Sequence, residues 1–181
     1  MNLSSGRLRH LREGAFQGKS VLYWMVRDKR VYDNWALIEA QKIALKNNVS
    51  LEVCFNINNN YSDANLRQYQ FLSEGLQEVQ KTLNSLNINF HLLLGPAYLR
   101  FPEFIVKNKV GHLITDFSPL KVYTNRLKKV LDKTEVPISQ VDAHNIVPAW
   151  VTSEKKEFAA YTIRPKIKKL LPDYLTEIPK I

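Results

Sequence analysis

Apolar and polar positions alternate along this chain in short blocks. Residues 20–26, SVLYWMV, form a brief apolar run with β-branched and aromatic side chains, which reads as a buried strand. After a charged stretch, the spacing of Trp35, Leu37, Ile38, Ala40, Ile43, Ala44 and Leu45 predicts a helix with Asp33 or Asn34 as its N-cap. The alternation then repeats. Strands are expected at 50–55, 88–94, 111–116 and 136–141, and helical segments at 66–86, 104–109 and 123–131. Gly95-Pro96 supplies the turn that closes the third strand.

Five short apolar strands separated by helices imply parallel pairing through right-handed crossovers. The expected fold is therefore α/β, a doubly wound five-stranded parallel sheet of Rossmann-like type over residues 19–143. Residues 1–18 read as a basic N-terminal extension. Residues 144–181 carry Pro148, Pro165, Pro172 and Pro179 and no further strand, so they read as a connector. A hydrophobic content of 45% fills one core of this size and argues against disorder.

No apolar run approaches the roughly 20 residues that a membrane-spanning helix requires, and the N-terminus lacks a signal-peptide core. The single cysteine, Cys54, fits a reducing compartment, and a cytoplasmic location is expected. Net charge is +9, with the basic excess gathered toward the two ends. That excess favours polyanions by counterion release, so two readings stay open: a nucleic-acid-binding accessory and a merely soluble basic surface.

In an open parallel sheet, ligands bind beyond the carboxyl ends of the strands. The chain places Arg27 and Asp28 there after the first strand and Asn56 after the second. Gly95-Pro96 follow the third, Asp116, Phe117 and Ser118 the fourth, and Asp142 with His144 the fifth. Neither GxGxxG nor GxxxxGK[ST] occurs, which disfavours nucleotide hydrolysis and points to a ligand held by stacking and a few hydrogen bonds. A stand-alone nucleotide-binding module of the same fold remains an alternative.

Candidate chemistry is sparse. Arg27, Asp28, Arg30 and Asp33 alternate in sign, which suits either a locked loop or contact with a ligand. His91 and His112 share no metal-ligand spacing with Cys54, so no metal site is expected. Cys54 reads as a small core residue and His144 as a hydrogen-bonded structural one. Trp24, Trp35 and Trp150 suit packing, and Tyr61 and Tyr69 are uninformative. No catalytic residue emerges.

The run WMVRDKRVYDNWAL resembles the WxxRDxRxxDNxAL signature that opens the α/β domain of photolyases and cryptochromes. The tryptophan after Asp33-Asn34 and the preceding YWM resemble the class II cyclobutane pyrimidine dimer photolyases in particular. Further matches follow in order: LKNNVSLEVCF, GLQEVQKTLNSLNI, FHLLLG, TDFSPL, QVDAHNIVPAW and TIRPKI.

The resemblance implies an N-terminal domain that can hold an antenna chromophore, a deazaflavin or a folate. It also implies a separate C-terminal helical domain that binds FAD and UV-damaged DNA; these residues would lack that domain and not be competent alone. By the same resemblance, Arg27, Asp28, Cys54, Phe55, Asn56, Asp116, Phe117 and Ser118 match positions around the chromophore crevice. Arg30, Asp33, Asn34, Trp35, Asp142 and His144 belong to the structural motif. Tyr161 departs from the arginine usual at its position.

Overall fold

The computed structural model describes residues 6–58 and 64–181. Tyr61 lies outside the described residues. The centre of the molecule is β2 (Ser20–Met25), buried at all six positions because helices cover both of its faces. It pairs in parallel with β3 (Ser50–Ile57) on one side and β5 (Val110–Asp116) on the other. β4 (Asn89–Leu94) adds to β3, and β6 (Ile138–Val141) adds to β5, both in parallel. The five strands expected from the sequence are these, and they form the expected doubly wound arrangement.

The sheet has a sixth member. β1 (Leu8–Arg12) lies antiparallel on β6, giving the order β1-β6-β5-β2-β3-β4, so part of the segment read as an N-terminal extension belongs to the sheet. Its pattern is basic because it is an edge strand, where charged side chains are tolerated and block further pairing. The charges are put to structural use. Arg9 donates to Gln140 Oε1 at 3.1 and 2.6 Å, His10 meets Ser139 Oγ at 2.9 Å, and Arg12 donates to the carbonyls of Leu131 and Thr134.

The helices divide between the two faces. α1 (Trp35–Asn47) and α2 (Leu66–Ser85) cover one face, packing on Tyr23, Met25, Val53 and Phe55. α3 (Ala97–Lys107) and α4 (Lys121–Leu131) cover the other, on Leu22, Trp24, Cys54 and Leu113. The chain thus winds outward from β2 in both directions, and the change of direction falls at β2. At the opposite, amino ends of β2 and β5, Gly18 approaches Gly111 so closely that a Cβ would lie 2.3 Å from its backbone nitrogen.

Two boundaries differ from expectation. α3 begins at Ala97 rather than near residue 104, although Pro102 lies inside it. The proline sacrifices one backbone bond, and burial of Phe101 and Ile105 on either side holds the helix together. Residues 144–181 contain no strand, as expected, but form α5 (Ala149–Thr152) and α6 (Ala160–Tyr174). Among the described residues, no helix is long and apolar enough to cross a membrane.

Candidate functional site

The signature segment after β2 folds as a tight loop. Asn34, fully buried, caps α1 by accepting from the backbone N–H groups of Ala36 and Leu37, at 3.0 and 3.1 Å. Its amide nitrogen donates back to the carbonyls of Asp28 and Arg30 and to the Tyr23 hydroxyl. Asp33 sits at φ 53°, a left-handed conformation that a short polar side chain tolerates. Of the two N-cap candidates, Asn34 is therefore the cap and Asp33 the bend before it.

Asp116, at the end of β5, fastens this loop to the sheet. Its Oδ2 accepts from the backbone N–H groups of Val26, Arg27 and Asp28 at 3.1, 2.6 and 3.0 Å. Burial raises the carboxyl's pKa, against these hydrogen bonds and that of Tyr23, which lower it. Burial likewise holds the Tyr23 phenol well above its usual range. Asp142, after β6, serves a second loop: its oxygens accept from the Asn145 amide groups and from the Ala149 N–H at 2.8 Å. Asp28 faces Arg30 at 3.4 Å and the exposed His144 at 3.6 Å. Trp35 lies under the guanidinium of buried Arg7, which donates to the carbonyls of Asp142, Asn145 and Ile146.

The space for a ligand lies elsewhere along the same edge. A cleft of about 250 Å3 opens over the carboxyl ends of β2 and β3, lined by Trp24, Met25, Val26, Phe55, Asn56 and Ile57 from the strands. Gln68, Tyr69 and Leu72 come from the start of α2, Tyr123 and Arg126 from the start of α4, and Lys29 from the loop. The walls are mainly apolar and aromatic. Among the described residues its charged side chains are Lys29, whose ammonium lies 5.5 Å from the Phe55 ring centroid, and Arg126, over Tyr123 at 5.6 Å. The Tyr69 hydroxyl is buried with no hydrogen-bond partner among the described residues. Arg7 Nε, Ser20 Oγ, Asp28 Oδ2 and Asp116 Oδ1 are likewise buried without a partner among the described residues, and of these five groups only Tyr69 lines the cleft.

The expected crevice residues thus separate into groups. Phe55 and Asn56 line the cleft, the Asn56 amide also bridging to the carbonyls of Leu93 and Gly95. Cys54 lies beneath it in the core, its thiol pKa raised by burial. Arg27 and Asp28 belong to the signature loop beside it. Asp116 and Ser118 border a space of only about 10 Å3, room for roughly one water. Phe117 turns the other way and meets Trp150 edge-on at 5.3 Å.

Sequence reasoning missed Lys29, Gln68, Leu72, Tyr123 and Arg126 and set Tyr69 aside. It looked only at strand ends, whereas the first turns of α2 and α4 complete the cleft. Tyr69 with Leu72 and Tyr123 with Arg126, each pair three apart on a helix, were the available signal.

A doubly wound sheet with an apolar cleft beyond the carboxyl ends of its central strands is a Rossmann-like domain, and the cleft lies where such folds hold their ligands. The family model for DNA photolyase matches residues 21–181, and the chain belongs to that family as its N-terminal α/β domain. It is 43% identical over 188 residues to a deoxyribodipyrimidine photo-lyase of Arabidopsis thaliana, covering 100% of this chain and 38% of that one. A protein of the same name from Potorous tridactylus is 47% identical over 167 residues, covering 91% of this chain and 31% of its own length. The chain therefore spans between 31% and 38% of the length of these relatives. A solved cryptochrome from Synechocystis sp. PCC6803 matches with a TM-score of 0.55 at 13% identity, over 63% of this chain and 24% of that one, a likeness of fold.

Proposed function

We propose that this domain gathers light for a class II deoxyribodipyrimidine photo-lyase, holding an antenna chromophore in the cleft over β2 and β3. The observation that carries the reading is that cleft: aromatic walls from Trp24, Phe55 and Tyr123, and an orphan hydroxyl on Tyr69. These groups fit a planar heteroaromatic molecule, a deazaflavin or a folate. The rings stack, Tyr69 meets a polar ring atom, and Lys29 and Arg126 balance negative charge. The chromophore, when bound, supplies absorption of light and passage of that energy to a flavin.

The rest of the proposal concerns the whole protein. A C-terminal helical domain would hold FAD and a dimer flipped out of UV-damaged DNA, where light-driven electron transfer splits the cyclobutane ring. Support comes from the named relatives and from the ordered motifs, Trp35 after Asp33-Asn34 among them. A reducing cytoplasmic setting is part of the same reading, in keeping with buried Cys54.

Fluorescence polarisation of a deazaflavin and of a reduced folate, each titrated with the purified chain, tests the antenna role. Saturable binding of one of them in the micromolar range is expected. No binding of either at tens of micromolar would remove the antenna role, while the family assignment would stand on its own evidence.

A further inference from the structure

The joining of β1 to β6 brings two histidines together across three strands. His10 on β1 is directly opposite Ser139 on β6, and His112, from the neighbouring strand β5, reaches the same residue. Nδ1 of His10 and Nε2 of His112 each lie 2.9 Å from Ser139 Oγ. His10 is exposed and His112 half-buried, so the group opens to solvent on one side, while Ser139 forms its buried floor. It lies toward the amino end of β5, away from the antenna cleft.

Comparing His91 and His112 with Cys54 predicts no metal site from the sequence, and among the described residues no three of His, Cys, Asp and Glu are grouped to hold one. His10 and a serine hydroxyl enter only through the fold. A serine hydroxyl carries one hydrogen, so it donates to one ring nitrogen and accepts N–H from the other. Both neutral rings can instead turn a lone pair to a shared ion, each N–H moving to the ring's other nitrogen with no proton released. Burial, and after it the charge of His10, lowers the His112 pKa to about 4, which keeps that ring neutral and able to ligate at neutral pH. The spacing suits the task, since cis ligands about 2.05 Å from an octahedral ion stand about 2.9 Å apart. Both arginines of β1 are engaged elsewhere, Arg9 with Gln140 and Arg12 with the carbonyls of Leu131 and Thr134.

We propose that His10, Ser139 and His112 bind a divalent transition-metal ion, Zn2+ or Ni2+, and that the ion clips the edge strand β1 to β5 across β6. Imidazole is a ligand these ions favour, the hydroxyl adds a weaker oxygen donor, and water fills the remaining positions. Two imidazoles and a neutral hydroxyl make a site of modest affinity. The site is independent of the antenna reading.

The test titrates the intact chain, first dialysed against a chelator, with ZnCl2 and with NiCl2 by calorimetry at neutral pH. One equivalent is expected to bind with a Kd of about 10–100 μM. His10→Gln and His112→Gln, with folds checked by circular dichroism, should each weaken binding at least about tenfold, while a chain carrying both His91→Gln and His144→Gln should bind as the wild type does. Long-range 15N spectra of the wild-type imidazoles need no variant: Zn2+ should move His10 Nδ1 and His112 Nε2 with saturation. Amide exchange in Leu8–Arg12 should slow about tenfold when Zn2+ is bound. Absence of saturable binding of either ion up to about 1 mM would overturn the proposal, as would binding that survives either single substitution or 15N shifts confined to His91 and His144. Unchanged exchange in β1 at saturation would overturn the clip.

Discussion

The carboxyl edge of the sheet has two halves, and they use similar residues for opposite ends. Over β5 and β6, Asp116 Oδ2 and the Asp142 oxygens hold backbone N–H groups, Asp116 Oδ1 is buried without a partner among the described residues, and the space beside Asp116 is about 10 Å3. Over β2 and β3, a cleft of about 250 Å3 remains open, with the Tyr69 hydroxyl unpartnered among the described residues. A polar residue at a strand end is thus no guide to function by itself. What separates the halves is the space beside it, about 10 Å3 at Asp116 and about 250 Å3 at Asn56, whose amide is itself bonded to the carbonyls of Leu93 and Gly95.

The strongest way to break this contrast is at Asp116. Asp116→Ala leaves three backbone N–H groups without their acceptor, at about 1–3 kcal/mol for each that stays buried. A loss of about 4 kcal/mol in urea denaturation is expected, a large part of the ~5–15 kcal/mol that keeps a domain folded. A loss below about 1 kcal/mol would mean that the loop does not depend on this carboxylate.

Away from this edge, toward the amino end of β5, the fold should be acid-sensitive through His112, which lies at 2.9 Å from Ser139 Oγ. Burial, and after it the neighbouring His10, lowers its pKa to about 4 from 6.5. Because the folded state resists protonation, the unfolded state binds the extra proton, and stability falls as pH drops through 6.5, levelling below about 4. The full effect is ~3 kcal/mol. Denaturation of wild type and His112→Gln across this window should show a steeper loss in the wild type, the lowered carboxyls of Glu52 and Glu157 acting in both. Parallel curves would contradict it.

On the open half, Tyr69→Phe should separate stability from binding. The orphan hydroxyl contributes nothing to the fold, so unfolding should change by less than about 0.5 kcal/mol, while chromophore affinity should fall roughly fivefold. A clear loss of stability with unchanged affinity would assign Tyr69 to structure. The smallest effect is expected at His144→Ala, an exposed side chain near Asp28 on the filled half. It should alter unfolding by no more than about 0.5 kcal/mol and leave chromophore affinity unchanged.

Much of the fold was legible because burial on both faces writes continuous apolar runs, as in β2, and because Asn34 marks the start of α1. β1 was not, since an edge strand that faces water needs little apolar surface and its arginines read as a solvated extension. The start of α3 was obscured by Pro102, whose cost is offset only by tertiary burial of Phe101 and Ile105. Of the site, Phe55 and Asn56 were legible from strand position. Lys29, Tyr69 and Arg126 were not singled out, because nothing in a one-dimensional pattern says that α2 and α4 open onto the same space.

The division of the edge into a filled and an open half can be read directly from two indole N–H signals. Trp24 lines the open cleft, and Trp150 lies on the filled side, donating to the Gly6 carbonyl at 2.6 Å. In a 15N-labelled chain titrated with the chromophore that binds, the Trp24 indole signal should shift with saturation while that of Trp150 stays in place. A shift of Trp150 with Trp24 unmoved would contradict the account.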